Sequence, residues 1–209
     1  LQVARLTFKT GSEQEALDDL MILAKQIDKS SAKMSAADFA ALSGEVHVML
    51  GEEAKRQFDD FNIAARGGDI GANVDKKTEY FANMTAEYDK AAAAGDPRWA
   101  SEARYQIGTA AEALADEIAA IPARTGEQVT LKSQSRYNAT IQRLQGLAQK
   151  YHGGNVLAAR KNPVGYRDNE WINKSALRVS GAVATESNSR HKDIPPTAMQ
   201  STIPSDWSL

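Results

Sequence analysis

Residues 96–122 read DPRWASEARYQIGTAAEALADEIAAIP, and their spacing decides the fold. Asp96 suits a helix N-cap, because its short acceptor reaches the unpaired amides of the first turn. Pro97 follows at the first helical position, where a missing amide costs nothing. From there Ala100, Ala103, Ile107, Ala110, Leu114, Ile118 and Ile121 recur at three- and four-residue intervals until Pro122 ends the run. That period is one apolar stripe on a long helix.

The same punctuation recurs on both sides. Ser12-Glu13-Gln14-Glu15 is a capping box ahead of Leu17, Leu20, Met21, Ala24 and Ile27, predicting a helix over about 12–28. Ser35 opens a helix carrying Phe39, Leu42, Val46 and Met49, which Gly51 is expected to break; a third then spans 52–65. Arg66-Gly67-Gly68-Asp69 reads as a helix stop, since glycine permits the left-handed backbone found there. A helix with Val74, Phe81, Met84, Tyr88 and Ala91 ends at Gly95. After a loop over 123–130, a tyrosine-bearing helix holds Tyr137, Ile141, Leu144, Leu147 and Tyr151 and is expected to close at His152-Gly153-Gly154-Asn155. Asp168 or Asn169 caps a last helix with Trp171, Ile172 and Val179. Alternating β-branched runs are nearly absent, so the expected class is all-α: seven or so antiparallel helices over residues 1–180, then a polar tail over 181–209. The tail is rich in Ser, Thr, Pro and Asn, with too few apolar groups to offset its ordering entropy. Ile203, Trp207 and Leu209 are its candidates for docking onto the helices.

Composition narrows the function classes. The 209 residues are 42% hydrophobic and 25% charged, as in ordinary globular proteins. A net charge of −2 lacks the cationic excess that nucleic-acid binding needs. No apolar run approaches the roughly 18 residues of a membrane span. The absence of cysteine excludes disulfides, thiol catalysis and cysteine-ligated metals. His47, His152 and His191 have no metal-site spacing, so neither a metal nor any other cofactor is expected. The chain starts at Leu1, and Val3 and Leu6 suit the end of a helix already under way; a trimmed or processed chain is the expectation.

Motifs for catalysis are thin. Gly67-Gly68-Asp69-Ile70-Gly71 lacks the strand and the Lys-Ser/Thr of a phosphate loop. The acidic pairs Asp18-Asp19, Glu52-Glu53, Asp59-Asp60 and Glu112 with Asp116 fall on polar helix faces or first turns, and no acid sits in a visibly apolar setting. No nucleophile elbow is present. Basic residues from Arg136 to Arg167 thicken one stretch and read as a solvated face, with an acidic partner or lipid headgroups as the alternative. The aromatics are more informative: Tyr88, Trp99, Tyr105, Tyr137, Tyr151 and Trp171 are the candidates for a partner-binding groove, most of them doubling as packing residues.

A repeat underlies these aromatics. Tyr88, a glycine loop and Trp99 with Ala103-Arg104 correspond to Tyr151, a longer loop and Trp171 with Ala176-Leu177-Arg178. The tryptophans lie 72 residues apart, close to two periods of a roughly 34-residue helix-turn-helix repeat. Leu42, Gly44, Gly51, Ala54 and Phe58 follow the small-then-aromatic order of a tetratricopeptide (TPR) repeat, and Ile107-Gly108 resembles its aliphatic–glycine pair. In such repeats a small residue lets two helices approach and an aromatic fills the groove between them. Pro97, Trp99, Ala103, Tyr105, Ile107, Gly108 and Pro122 also form a pattern similar to that of TPR-containing cell-envelope proteins of delta-proteobacterial type, some associated with gliding motility. The resemblance implies a TPR-like right-handed stack serving as a non-enzymatic scaffold in a periplasmic or envelope-associated motor, transport or motility complex. A cytoplasmic location is the alternative compartment. A self-assembling ring or filament subunit, with the chain as a homo-oligomer, is the alternative function, and a helical glycan-processing hydrolase a more distant one.

Overall fold

The computed structural model describes residues 13–65, 68–121 and 131–190. Six α-helices pack against one another: α1 (Glu13–Ser30), α2 (Ala36–Asp60), α3 (Ile70–Ala94), α4 (Pro97–Ala119), α5 (Leu131–Lys161) and α6 (Glu170–Arg190). A single 3₁₀ turn, Ser31–Lys33, joins α1 to α2, and no strand occurs among the described residues. None of these helices is long and apolar enough to cross a membrane. The Ser12 cap, the 123–130 loop and the tail residues Ile203, Trp207 and Leu209 lie outside the described residues.

Local signals set the helix starts. Ser35 Oγ accepts from the Asp38 amide at 3.1 Å, and Asp69 accepts from Gly71 at 2.8 Å. Gly95 ends α3 with φ of 92°, a left-handed conformation that glycine adopts without strain. Three glycine readings change in the folded chain. Gly51 does not break its helix: α2 runs unbroken from Ala36 to Asp60. A Cβ at Gly51 would sit 2.7 Å from two atoms of the Tyr88 ring, so its bareness serves close approach of α3. Likewise α5 continues through Gly153 and Gly154 to Lys161, and α6 continues past Gly181 to Arg190. A glycine inside a helix costs about 1 kcal/mol against alanine, which neighbouring turns and packing readily carry.

The contacts between helices define the topology. From α2 to α3 the bonded pairs close in steadily: His47–Glu87 are 40 apart in sequence, Phe61–Lys77 16 and Ile63–Asn73 10. That convergence means antiparallel neighbours. Alternate helices instead keep a nearly constant offset. Asp75–Arg136 and Asp89–Tyr151 join α3 to α5 at separations of 61 and 62. Glu112–Arg178 and Ser101–Asn169 join α4 to the start of α6 at 66 and 68. Ile63, just beyond α2, meets Glu117 of α4 at 54. Constant offset means parallel helices, so α2, α4 and α6 run side by side in one direction, and α3 and α5 in the other. Between Trp99 and Trp171 the chain forms one long antiparallel pair, α4 and α5, rather than the two short pairs that a roughly 34-residue period would place there.

One apolar core runs through α2 to α5, built on Phe58, Val74, Phe81, Met84, Tyr88, Ile107, Leu114, Ile118 and Leu144. A smaller cluster of Leu20, Ile27 and Val46 holds α1 onto α2.

Candidate functional site

The α4 start positions the site. Asp96 Oδ1 accepts from the amides of Arg98 and Trp99 at 3.0 and 3.2 Å, setting where the helix begins and hence which residues share a stripe. Trp99, Glu102 and Tyr105 then follow at three-residue steps, each half-buried. Trp99 settles over Gly44 of α2, where a Cβ would come within 2.9 Å of it. The Arg98 guanidinium stacks 4.3 Å above the Trp99 ring. On the other side, Asn169 caps α6 by accepting from Trp171 and Ile172, and its own amide donates to Ser101 Oγ of α4 at 2.8 Å. That strut brings Trp171 to 5.2 Å from Tyr105, centroid to centroid. Lys174 lies 4.1 Å over Trp171 and pairs with Glu170 at 2.6 Å.

The face therefore has an aromatic row, Trp99, Tyr105 and Trp171, with Glu102 between the first two. Burial pushes the Glu102 carboxyl up to about 7, and Glu52 on α2 and Glu170 on α6 add to the rise against Arg98 and Lys174. Glu52 is raised as well, again by burial first, with Lys55 opposing. Beneath them Tyr88 is fully buried, and its hydroxyl has no hydrogen-bond partner. Burial, then the charges of Glu52 and Glu102, raise that hydroxyl far above the ordinary phenol range. Glu102 thus departs from the expectation that no acid occupies an apolar setting. Its position three residues from both Trp99 and Tyr105 was the available signal.

Of the six aromatics singled out by sequence, the fold brings Trp99, Tyr105 and Trp171 to this face. The other three turn inward. Tyr88 is 0% exposed, Tyr137 is buried, and Tyr151 is buried with its hydroxyl donating to Asp89 at 2.8 Å.

Other polar clusters act as joints between helices. His152, in the second half of α5, is 1% exposed and packs against Gly108. Its Nδ1 lies 3.4 Å from Ser175 Oγ and its Nε2 3.5 Å from a Glu112 oxygen. The order serine, histidine, acid resembles a nucleophilic triad, but Ser175 is 0% exposed and its oxygen accepts from Asn155 Nδ2 at 2.9 Å. Burial, with Arg178 nearby, pushes His152 down to about 4, so it is a neutral interior group. Lys77, also buried, donates to the Phe61 carbonyl and pairs with Glu117 at 3.0 Å, while Glu117 accepts from the Ile63 amide at 2.7 Å. His47, read from sequence as a core or groove histidine, pairs with Glu87 at 2.8 Å. Of the basic stretch, Arg136 and Arg143 line an open groove of about 380 Å³ between α3 and α5, where Arg136 pairs with Asp75 beside Thr78 and Thr140. Among the described residues no group of three or more His, Asp or Glu is placed to hold a metal ion.

Comparison with family models, with curated proteins and with solved structures returns no match.

Proposed function

We propose that this chain is a non-enzymatic scaffold that binds another protein through the face shared by α2, α4 and α6. The observation that carries the reading is the convergence of three half-exposed aromatics, Trp99, Tyr105 and Trp171, from two parallel helices onto one surface. Aromatic side chains at such positions supply rigid contact area and make strong interface anchors. A stack of helical hairpins favours the same role, since its parallel alternate helices present an extended face to a partner segment. The logic is TPR-like: Gly44 beneath Trp99, Gly51 beneath Tyr88 and Gly108 beneath His152 each pair a bare backbone with a ring. The hairpins are longer than those of a TPR. The setting we propose is a bacterial envelope complex, a motor, transport or motility machine, in the periplasm or attached to the envelope. That setting rests on the resemblance of residues 97–122.

Affinity capture from an extract of the source organism tests the role. The wild-type chain should retain a partner that the Trp99→Ala and Trp171→Ala variants release, with helicity unchanged. Retention by both variants would remove the face from the proposal. One observation favours the self-assembly reading: Ile22 on α1 and Leu177 on α6, the outermost described helices, are 53% and 73% exposed. Copies stacking end to end would cover both, and the mass in solution by light scattering distinguishes an oligomer from a single-chain adaptor.

A further inference from the structure

We propose that the α2–α4–α6 face takes an arginine side chain presented by the partner, its guanidinium paired with Glu102 and Glu52 and its plane against the Trp99–Tyr105–Trp171 row. This rests on the scaffold reading above and adds the chemistry of the partner.

Three observations support it. First, the charges on the face are unevenly matched. Lys174 is engaged with Glu170 and Lys55 with Asp59, and Arg98 stacks on Trp99, whereas neither Glu52 nor Glu102 makes an ion pair among the described residues. Two carboxylates from neighbouring helices, Glu102 half-buried and Glu52 exposed, thus lie within electrostatic reach of each other, each with cations in its field but none in a direct ion pair with it. Second, the fully buried Tyr88 hydroxyl, which has no partner, lies in the field of both carboxylates. Its ring crosses Gly51, one residue before Glu52, which packs the tyrosine against α2 beside that carboxylate. Third, the walls are aromatic, and the face already holds cations on its rings: Arg98 on Trp99, and Lys174 on Trp171 and Tyr105. A guanidinium satisfies carboxylates and rings together, because it is planar, weakly hydrated and donates in a fork. A lysine ammonium meets only part of that demand.

Occupation by a cation would hold Glu102 ionised. Binding should therefore strengthen as pH rises from 5.5 to 8. The charged and titratable groups around Glu102 are Glu52 and Lys55 on α2, Tyr88 on α3, Arg98 on α4, and Glu170 and Lys174 on α6. Burial raises both carboxyls, Glu102 to about 7.

The test titrates the full chain with octa-arginine, octa-lysine and octa-glutamate peptides, followed by calorimetry at pH 5.5 and 8. Octa-arginine should bind more tightly than octa-lysine, and octa-glutamate not at all. Glu102→Gln and Glu52→Gln should each weaken octa-arginine by about tenfold and flatten the pH dependence, with exposed Glu79→Gln as an unaffected control. Equal weakening by Glu79→Gln, or none by Glu102→Gln, would overturn the proposal. If octa-arginine fails while Trp171→Ala still releases the captured partner, the arginine assignment falls and the scaffold stands. If the tryptophan variants keep the partner, the face itself falls.

Discussion

Gly108→Ala is the sharpest probe of how this stack is held together. A Cβ at Gly108 would lie 2.6, 2.7 and 2.9 Å from Nε2, Cε1 and Cδ2 of His152. Carbon contacts settle near about 3.5–4.0 Å, so relief requires a shift of roughly 1 Å between α4 and α5. The ring has little room to yield, being 1% exposed and flanked edge-on by Tyr105 at 5.6 Å. Overpacking of this kind costs about 1–3 kcal/mol, while alanine returns about 1 kcal/mol of helix propensity over glycine. The net expectation is a loss of about 0–2 kcal/mol for Gly108→Ala, against a gain where no neighbour stands opposite. Gly153, on the facing helix α5, has nothing within 4 Å of a built Cβ. There the propensity gain acts alone, and Gly153→Ala should stabilise by about 1 kcal/mol. Urea unfolding followed by far-ultraviolet circular dichroism measures both. Adding His152→Ala to Gly108→Ala should abolish the penalty of the alanine, apart from the cavity that the lost ring leaves, and the coupling in that double-mutant cycle reports the contact itself. Were Gly108→Ala to match Gly153→Ala in sign and size, close helix approach at that glycine would be refuted.

Four further outcomes are expected. His152 titrates at about 4 in the fold against 6.5 when unfolded, so its contribution is complete above 6.5 and is lost as pH falls toward 4. The full shift amounts to about 3 kcal/mol, and about 2 kcal/mol after solvent screening at the half-exposed Glu112 edge; His152→Phe should remove that acid sensitivity in melts between pH 7 and 4. Glu102 works in the opposite sense: its folded value of about 7 lies above 4.5, so stability is lost as pH rises between the two, and Glu102→Gln should raise the melting temperature at pH 8 more than at pH 4. Lys77→Ala leaves Glu117 in a nearly closed site without its ammonium, and should cost about 3 kcal/mol in denaturant unfolding. Trp171→Ala should lower partner capture while leaving the cooperative unfolding transition intact, since its ring is half-buried at the edge of the stack.

Much of the fold was legible because helix boundaries are local. Asp96 with Pro97, Ser35, Asp69 and Asn169 each satisfy amides within their own first turn, and the stripe from Ala100 to Ile121 needs only one helix to be seen. Glycines were read less well. Gly51, Gly153 and Gly181 look alike in sequence, yet Gly51 makes room for Tyr88 and the α5 helix passes Gly153 without a neighbour. The difference lies in what stands opposite. The 72 residues between Trp99 and Trp171, read as two short helix pairs, hold a single pair, because α4 and α5 are long.

The six aromatics mark the same division. Residue type and spacing identify all of them as groove-fillers on helices, and that much follows from the chain alone. Which three face outward depends on constant offsets between parallel helices, 54 for α2 with α4 and 66 for α4 with α6, which no single helix encodes. Tertiary packing alone buries Tyr88, Tyr137 and Tyr151, and it alone sets Glu52 beside Glu102, since a carboxylate's charge is costly only where neighbouring helices have removed its water.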